Sequence, residues 1–266
     1  MLTTGKDIIK EIEKYAPLTI KMAGDPTGLQ IGNINNPVKR VMTTLDVRPE
    51  VVQEAIDDKI DFIFAHHPVM FHPAHNLDTT DPQKKMYADL LKNNITVYAA
   101  HTNMDKATGG MNDWLAQKLQ LKNVEPFGAD TDGIAIGRIG ELDNPQITVQ
   151  KLAIQIKQEF DIKGLRIVSN NLNQTVKHIA VVGGDGGKFY LQALHAGADV
   201  LVTGDVYYHT GHDMLAHDLT VIDPGHHIES IFKIKTKELL NNWAKTNNWD
   251  IAVISSKINT DPFTFM

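Results

Sequence analysis

Residues 60–68 read Ile60-Asp61-Phe62-Ile63-Phe64-Ala65-His66-His67-Pro68. Apart from Asp61, the run over 60–65 is apolar, with aromatic and β-branched residues, and its length suits a buried strand. It stops at two histidines and a proline. Upstream, residues 38–46 read as a second strand. The segment between them carries Pro49, suited to the first turn of a helix, followed by Val51, Val52, Ala55 and Ile56. Downstream, a polar loop with Pro68, Pro73 and Pro82 leads to a helix around 84–92. A third strand over 95–100 then stops at His101. The order β-α-β-α-β predicts a parallel sheet with helices on its faces. Asp46, His66 and His101 then share the carboxyl edge of that sheet, which is where open α/β sheets bind ligands.

Working outward, Thr3 or Thr4 can cap an N-terminal helix whose Ile8, Ile9, Ile12 and Tyr15 share one face, ended by Pro17. Gly24-Asp25-Pro26-Thr27-Gly28 is turn chemistry. After a helix with Trp114, Leu115 and Leu119, the alternation repeats. Strands are expected over 134–139, 165–168, 178–182 and 199–203, with helices over 149–160 and 190–196. This reads as a second α/β lobe, residues 125–219. A strand over 220–222, a helix from about 229 to 245 and a strand over 250–255 are expected to return to the first lobe, which becomes 1–124 plus 220–266.

Composition narrows the function classes. The chain has 266 residues, 42% of them hydrophobic, and no cysteine. Disulfides, Cys-ligated zinc and Cys nucleophiles are therefore excluded, and a reducing cytoplasm is the expected location. No apolar run approaches the roughly 18 residues of a membrane span. Residues 1–15 lack the apolar core of a secretory signal. A net charge of −6 argues against non-specific nucleic-acid binding. Histidine is the unusual residue: most of the 12 fall in two blocks, 66–101 and 195–227.

Three elements in these blocks combine histidine with acid at strand-to-helix junctions. His66 and His67 leave a strand for a proline loop, where both rings can enter one crevice. In His101-Thr-Asn-Met-Asp105, the carboxylate lies one turn from the histidine if a helix follows; the plainer role for Asp105 is to cap the turn before Gly109-Gly110. In Asp223-Pro-Gly-His226-His-Ile-Glu229, His226 and Glu229 share a face once a helix begins; the plainer role for Glu229 is to favour the helix dipole. Together they supply more nitrogen and oxygen ligands than one tetrahedral ion needs. They suit a pair of divalent ions about 3.5–4 Å apart. Two further features stay open. Gly183-Gly-Asp-Gly-Gly187 is either an anion nest or a tight turn. Asp205 and His209 either support a site or cap a helix. His72, His75 and His217 read as solvated surface.

These blocks carry a resemblance. Gly24-Asp-Pro-Thr-Gly-Leu-Gln-Ile-Gly32, Phe64-Ala-His-His-Pro68, His101-Thr-Asn-Met-Asp105, Thr203-Gly-Asp205 and Gly225-His-His-Ile-Glu229 resemble, in order, the signature blocks of the GTP cyclohydrolase 1 type 2 homolog family, also called NIF-three-like proteins. The resemblance covers nearly the whole chain and implies the short form, without the domain some members insert between their halves. It implies two interlinked α/β lobes with a dinuclear metal site in the cleft between them. The implied ligands are His66, His67, Asp105, His226 and Glu229, with His101 beside the site as a catalytic residue and His227 without a role. Two divalent ions are implied, drawn from zinc, iron, manganese, cobalt or nickel, within a toroidal homohexamer. The expected activity is metal-dependent hydrolysis at a C–N, phosphoryl or acyl centre of a small-molecule, nucleotide-like substrate. The alternative is a non-catalytic metal-binding scaffold or regulatory protein.

Overall fold

Thr4 opens α1 (Gly5–Tyr15), where the Asp7 carboxylate accepts from both the Thr4 amide and its hydroxyl. Ile8 and Ile12 are fully buried on one face, as the helical period requires. The chain then lays down β1 (Gly28–Ile31), β2 (Arg40–Thr44), α2 (Pro49–Asp57), β3 (Phe62–Ala65), α3 (Pro82–Lys92), β4 (Thr96–Ala99) and α4 (Thr102–Lys106). It continues through α5 (Met111–Lys118), β5 (Lys122–Ala129), β6 (Ala135–Glu141), β7 (Ile147–Thr148), α6 (Val149–Glu159), β8 (Arg166–Val168) and β9 (Thr175–Val176). β10 (His178–Asp185), α7 (Tyr190–His195), β11 (Val200–Gly204), α8 (Tyr208–Ala216), β12 (Thr220–Asp223), α9 (Ile231–Asn247) and β13 (Ala252–Ser255) follow. This computed structural model describes residues 2–144 and 146–266; Met1 and Pro145 lie outside it. Among the described residues no helix is long and apolar enough to cross a membrane.

The chain divides into two units. The first runs to Ala107 and resumes over Ser230–Thr260; the second comprises Thr108–Glu229 and Asp261–Met266. In the first unit, five strands lie in the order β1-β4-β3-β2-β13. β13, β2, β3 and β4 are parallel, and β1 is antiparallel to β4. The parallel strands are covered on both faces, which is why β3 reads as an unbroken apolar run. Met42, Ile63 and Val97 join Val51, Val52 and Ala55 of α2 with Met86, Tyr87 and Leu90 of α3 in one core cluster. Phe64 and Tyr98 belong to the other face: the Phe64 ring meets Phe232 of α9 at 5.1 Å, and the Tyr98 hydroxyl donates to Glu13 of α1.

In the second unit, six strands lie in the order β5-β6-β10-β11-β12-β8. Only β10, β11 and β12 are parallel; the other pairings are antiparallel. This corrects the expectation of simple repeated alternation. The strand at 220–223 also pairs here, with β11 and β8, rather than returning to the first sheet. All four of its residues are buried, so its sequence carries no facial pattern that would choose a sheet. The Trp114 helix, α5, likewise packs on β6 and β10 of this unit.

Candidate metal centre

The carboxyl edge of the first sheet builds one set of candidate ligands. His66 follows β3 directly and is fully buried. Its ring lies 4.9 Å from that of His67, 5.3 Å from that of His101 and 5.1 Å from that of Phe232, centre to centre. Its Nδ1 donates to the Ala100 carbonyl at 2.9 Å. His67 Nδ1 donates to the Asp46 carboxylate at 2.6 Å, which also accepts from the Thr260 hydroxyl. His101 Nδ1 donates to Asp25 at 2.9 Å. Carbonyl and carboxylate oxygens only accept, so each ring carries its proton on Nδ1 and offers Nε2 as the lone-pair atom. A histidine is prepared for a metal in this way. One nitrogen from each of His66, His67 and His101 lies within 4.8 Å of the others.

The helical turn expected after His101 is present. Asp105 N–H donates to the His101 carbonyl at 3.1 Å, and the buried Asp105 carboxylate lies 3.5 Å from His66 Nε2. In the Gly109–Gly110 turn, the Gly109 amide donates to the Asp113 carboxylate at 2.6 Å.

The second set lies in the other unit. A 3₁₀ turn, His226–Ser230, precedes α9. His226 Nε2 is 3.1 Å from Glu229 Oε2, and its Nδ1 is 2.7 Å from Asp205. Asp205 therefore supports His226, and His209 is exposed on α8. Burial alone would pull the His226 pKa down. Glu229 and Asp205 outweigh it and push the pKa up to about 10. Two carboxylates converging on one ring make this a position that attracts positive charge.

Glycines keep these groups close. A Cβ on Gly204 would come within 2.7 Å of the His226 backbone nitrogen. At Gly183 it would meet Glu229 Oε1 at 2.7 Å, and at Gly184 it would lie 3.0 Å from both Glu229 Oε1 and His226 Nε2. Gly183 and Gly184, near the end of β10, thus allow close approach to a carboxylate, which is neither an anion nest nor a plain tight turn. His72, His75 and His217 are exposed, as expected of surface residues. Asp25 was missed: a carboxylate within Gly24-Asp25-Pro26-Thr27-Gly28 reads as turn chemistry, and nothing in the sequence ties it to a histidine 76 positions away.

Imidazole nitrogens with carboxylate oxygens, and no thiolate, are a donor set that zinc, iron, manganese, cobalt and nickel accept. The residues fit a divalent cation. The chain matches the model of Duf34/NIF3 (NGG1p interacting factor 3) over residues 3–262. It belongs to this family. The GTP cyclohydrolase 1 type 2 homolog of Streptococcus pneumoniae is 41% identical over 262 residues, covering 97% of this chain and 98% of the relative. The homolog from Listeria monocytogenes is 34% identical over 371 aligned positions covering 99% of both chains, so it contains a segment that this shorter Duf34/NIF3 chain lacks. Among solved structures, a Bacillus cereus protein related to NIF3 is similar over 100% of both chains, with 30% identity and a TM-score of 0.93.

Proposed function

We propose that this Duf34/NIF3 chain is a divalent-metal-dependent hydrolase. The observation that supports this reading is the common setting of its histidines. His66, His67, His101 and His226 each engage an oxygen acceptor through Nδ1, which leaves Nε2 for a ligand or a proton. His66, His67, Asp105, His226 and Glu229 are the proposed ligands of two ions. When bound, such ions supply Lewis acidity and make water more acidic near neutral pH. Asp46 and Asp205 keep the His67 and His226 rings in register. His101 is the proposed proton carrier: its Nε2 takes a proton from the attacking water and returns it to the leaving group.

The proposed substrate is nucleotide-like, an assignment that rests on the name shared by the curated relatives. The absence of cysteine separates this donor set from Cys-ligated zinc chemistry, so a phosphoryl or acyl centre stands beside the C–N centre that the name suggests. The test is turnover of a panel of nucleotides and phosphoesters by protein reconstituted with each metal in turn. Metal-dependent turnover that His101→Ala weakens without loss of metal supports the reading. No turnover with any metal and any substrate class shifts it to the non-catalytic scaffold. A homohexamer belongs to the same proposal, and light scattering that returns a monomer at micromolar concentration removes it.

A further inference from the structure

Asp25 leaves the N-terminal turn and is 8% exposed, yet four donors converge on it. The arrangement is asymmetric. Oδ2 accepts from the Thr27 hydroxyl at 2.7 Å, from the Thr102 backbone N–H at 3.1 Å and from the Thr102 hydroxyl. Oδ1 accepts from His101 Nδ1 at 2.9 Å. The Thr27 hydroxyl also accepts from the His101 backbone N–H at 3.3 Å, which ties both ends of that residue to the same turn. Burial alone would raise the Asp25 pKa; His101, Thr102 and Thr27 hold it well below the usual carboxylate range. The carboxylate is charged and can only accept, so the ring facing it has to donate.

We propose that Asp25 is the positioning residue of His101: it fixes the ring in the Nδ1–H form and thereby makes Nε2 the atom that accepts a proton. The first half of this statement stands on the hydrogen bonds alone; the second rests on the hydrolase reading. In the reaction, the proton lost by water goes to His101 Nε2 as the new bond to oxygen forms. Asp25 faces the imidazolium so created and lowers its cost. The ring then returns the proton to the departing group, so the protein ends unchanged.

The asymmetry makes Asp25→Asn informative. The Thr102 backbone N–H cannot rotate away from Oδ2, so the asparagine carbonyl has to remain there. Its NH2 then takes the place of Oδ1 and donates to His101 Nδ1. The ring is forced into the opposite tautomer, with its proton on Nε2 and no lone pair there. An Asp-to-Asn change beside a catalytic histidine acts in this way while preserving the geometry.

The experiment is 15N-detected NMR of ring-labelled histidine in the full chain, as purified and after chelation, with His101 assigned by its loss in His101→Gln. Wild type is expected to show His101 with a protonated Nδ1 and a bare Nε2, and Asp25→Asn the reverse. Metal content, measured in parallel, stays at the wild-type level, and kcat on any substrate found falls about 10²- to 10⁴-fold, the usual weight of a general acid–base group. A wild-type His101 protonated on Nε2 overturns the proposal whether or not the variant folds. An Asp25→Asn protein with the wild-type tautomer overturns it too, as does an inverted tautomer with undiminished kcat. Absence of turnover in wild type strikes the hydrolase reading instead, and leaves the tautomer to decide the role of Asp25.

Discussion

The Nδ1 atom of His226 lies 2.7 Å from the Asp205 carboxylate, and Asp205 reaches it from a left-handed backbone conformation at φ +52°. Asp and Asn adopt that conformation more readily than other residues with a Cβ. The preceding Gly204 allows the close approach, since any side chain there would meet the His226 backbone. The Thr203-Gly204-Asp205 corner therefore orients the ring of one proposed metal ligand. Asp205→Asn retains the backbone conformation but not the charge. It is expected to keep the fold and weaken metal binding about 10- to 100-fold, as loss of a ligand's hydrogen-bonding partner does elsewhere. Competition with a chelating dye measures this; unchanged affinity removes the role given to Asp205.

Gly183→Ala separates packing against Glu229 from backbone strain. Gly183 has no left-handed φ, so an alanine is tolerated by the backbone, but its Cβ falls 2.7 Å from Glu229 Oε1. The buried carboxylate has to move. The expected outcome is a small change in melting temperature with a large drop in bound metal. Gly184→Ala adds the cost of a left-handed alanine at φ +58°, about 1–2 kcal/mol, and should lower both. If Gly183→Ala keeps full metal content, Glu229 is not held by the loop as described.

His226 gives a pH dependence. Its pKa in the folded protein is raised from the ordinary 6.5 to about 10, so the folded state binds this proton more tightly than the unfolded state. In chelated protein, the resulting stabilisation is complete below about pH 6.5, declines as pH rises and is gone through about pH 10. A cation that takes Nε2 displaces that proton. Zinc titrated into chelated protein at pH 7.5 is expected to release a proton that His226→Gln does not release. Calorimetry in buffers of different ionisation enthalpy counts it; equal release by both proteins contradicts the assignment.

The edge of the first sheet was legible because its strands are unbroken apolar runs ending at His66 and near His101, so strand ends and chemistry coincide in the sequence. β1 was not legible. Its four residues open with a glycine at φ +129° and expose Leu29, leaving no alternation to detect. β5 was missed for a similar reason: its first five residues, including Pro126, are all exposed. The ligand candidates could be read from local pairs such as His101 with Asp105. Their supports were harder to read. Asp205 stood as either a support or a helix cap, and its partner His226, 21 positions away, could not be named; Asp25 reaches His101 across 76 positions, through a contact that only the fold creates.

In the proposed centre, two divalent ions are held by His66, His67, Asp105, His226 and Glu229. Elemental analysis of protein purified without chelator, alongside His66→Ala and Glu229→Ala, decides whether they are. Up to two divalent ions per chain are expected in wild type, with most of that lost in each variant while the circular dichroism spectrum is retained. Metal-free wild type that takes up no zinc, iron, manganese, cobalt or nickel on reconstitution, or unchanged metal content in both folded variants, would contradict it.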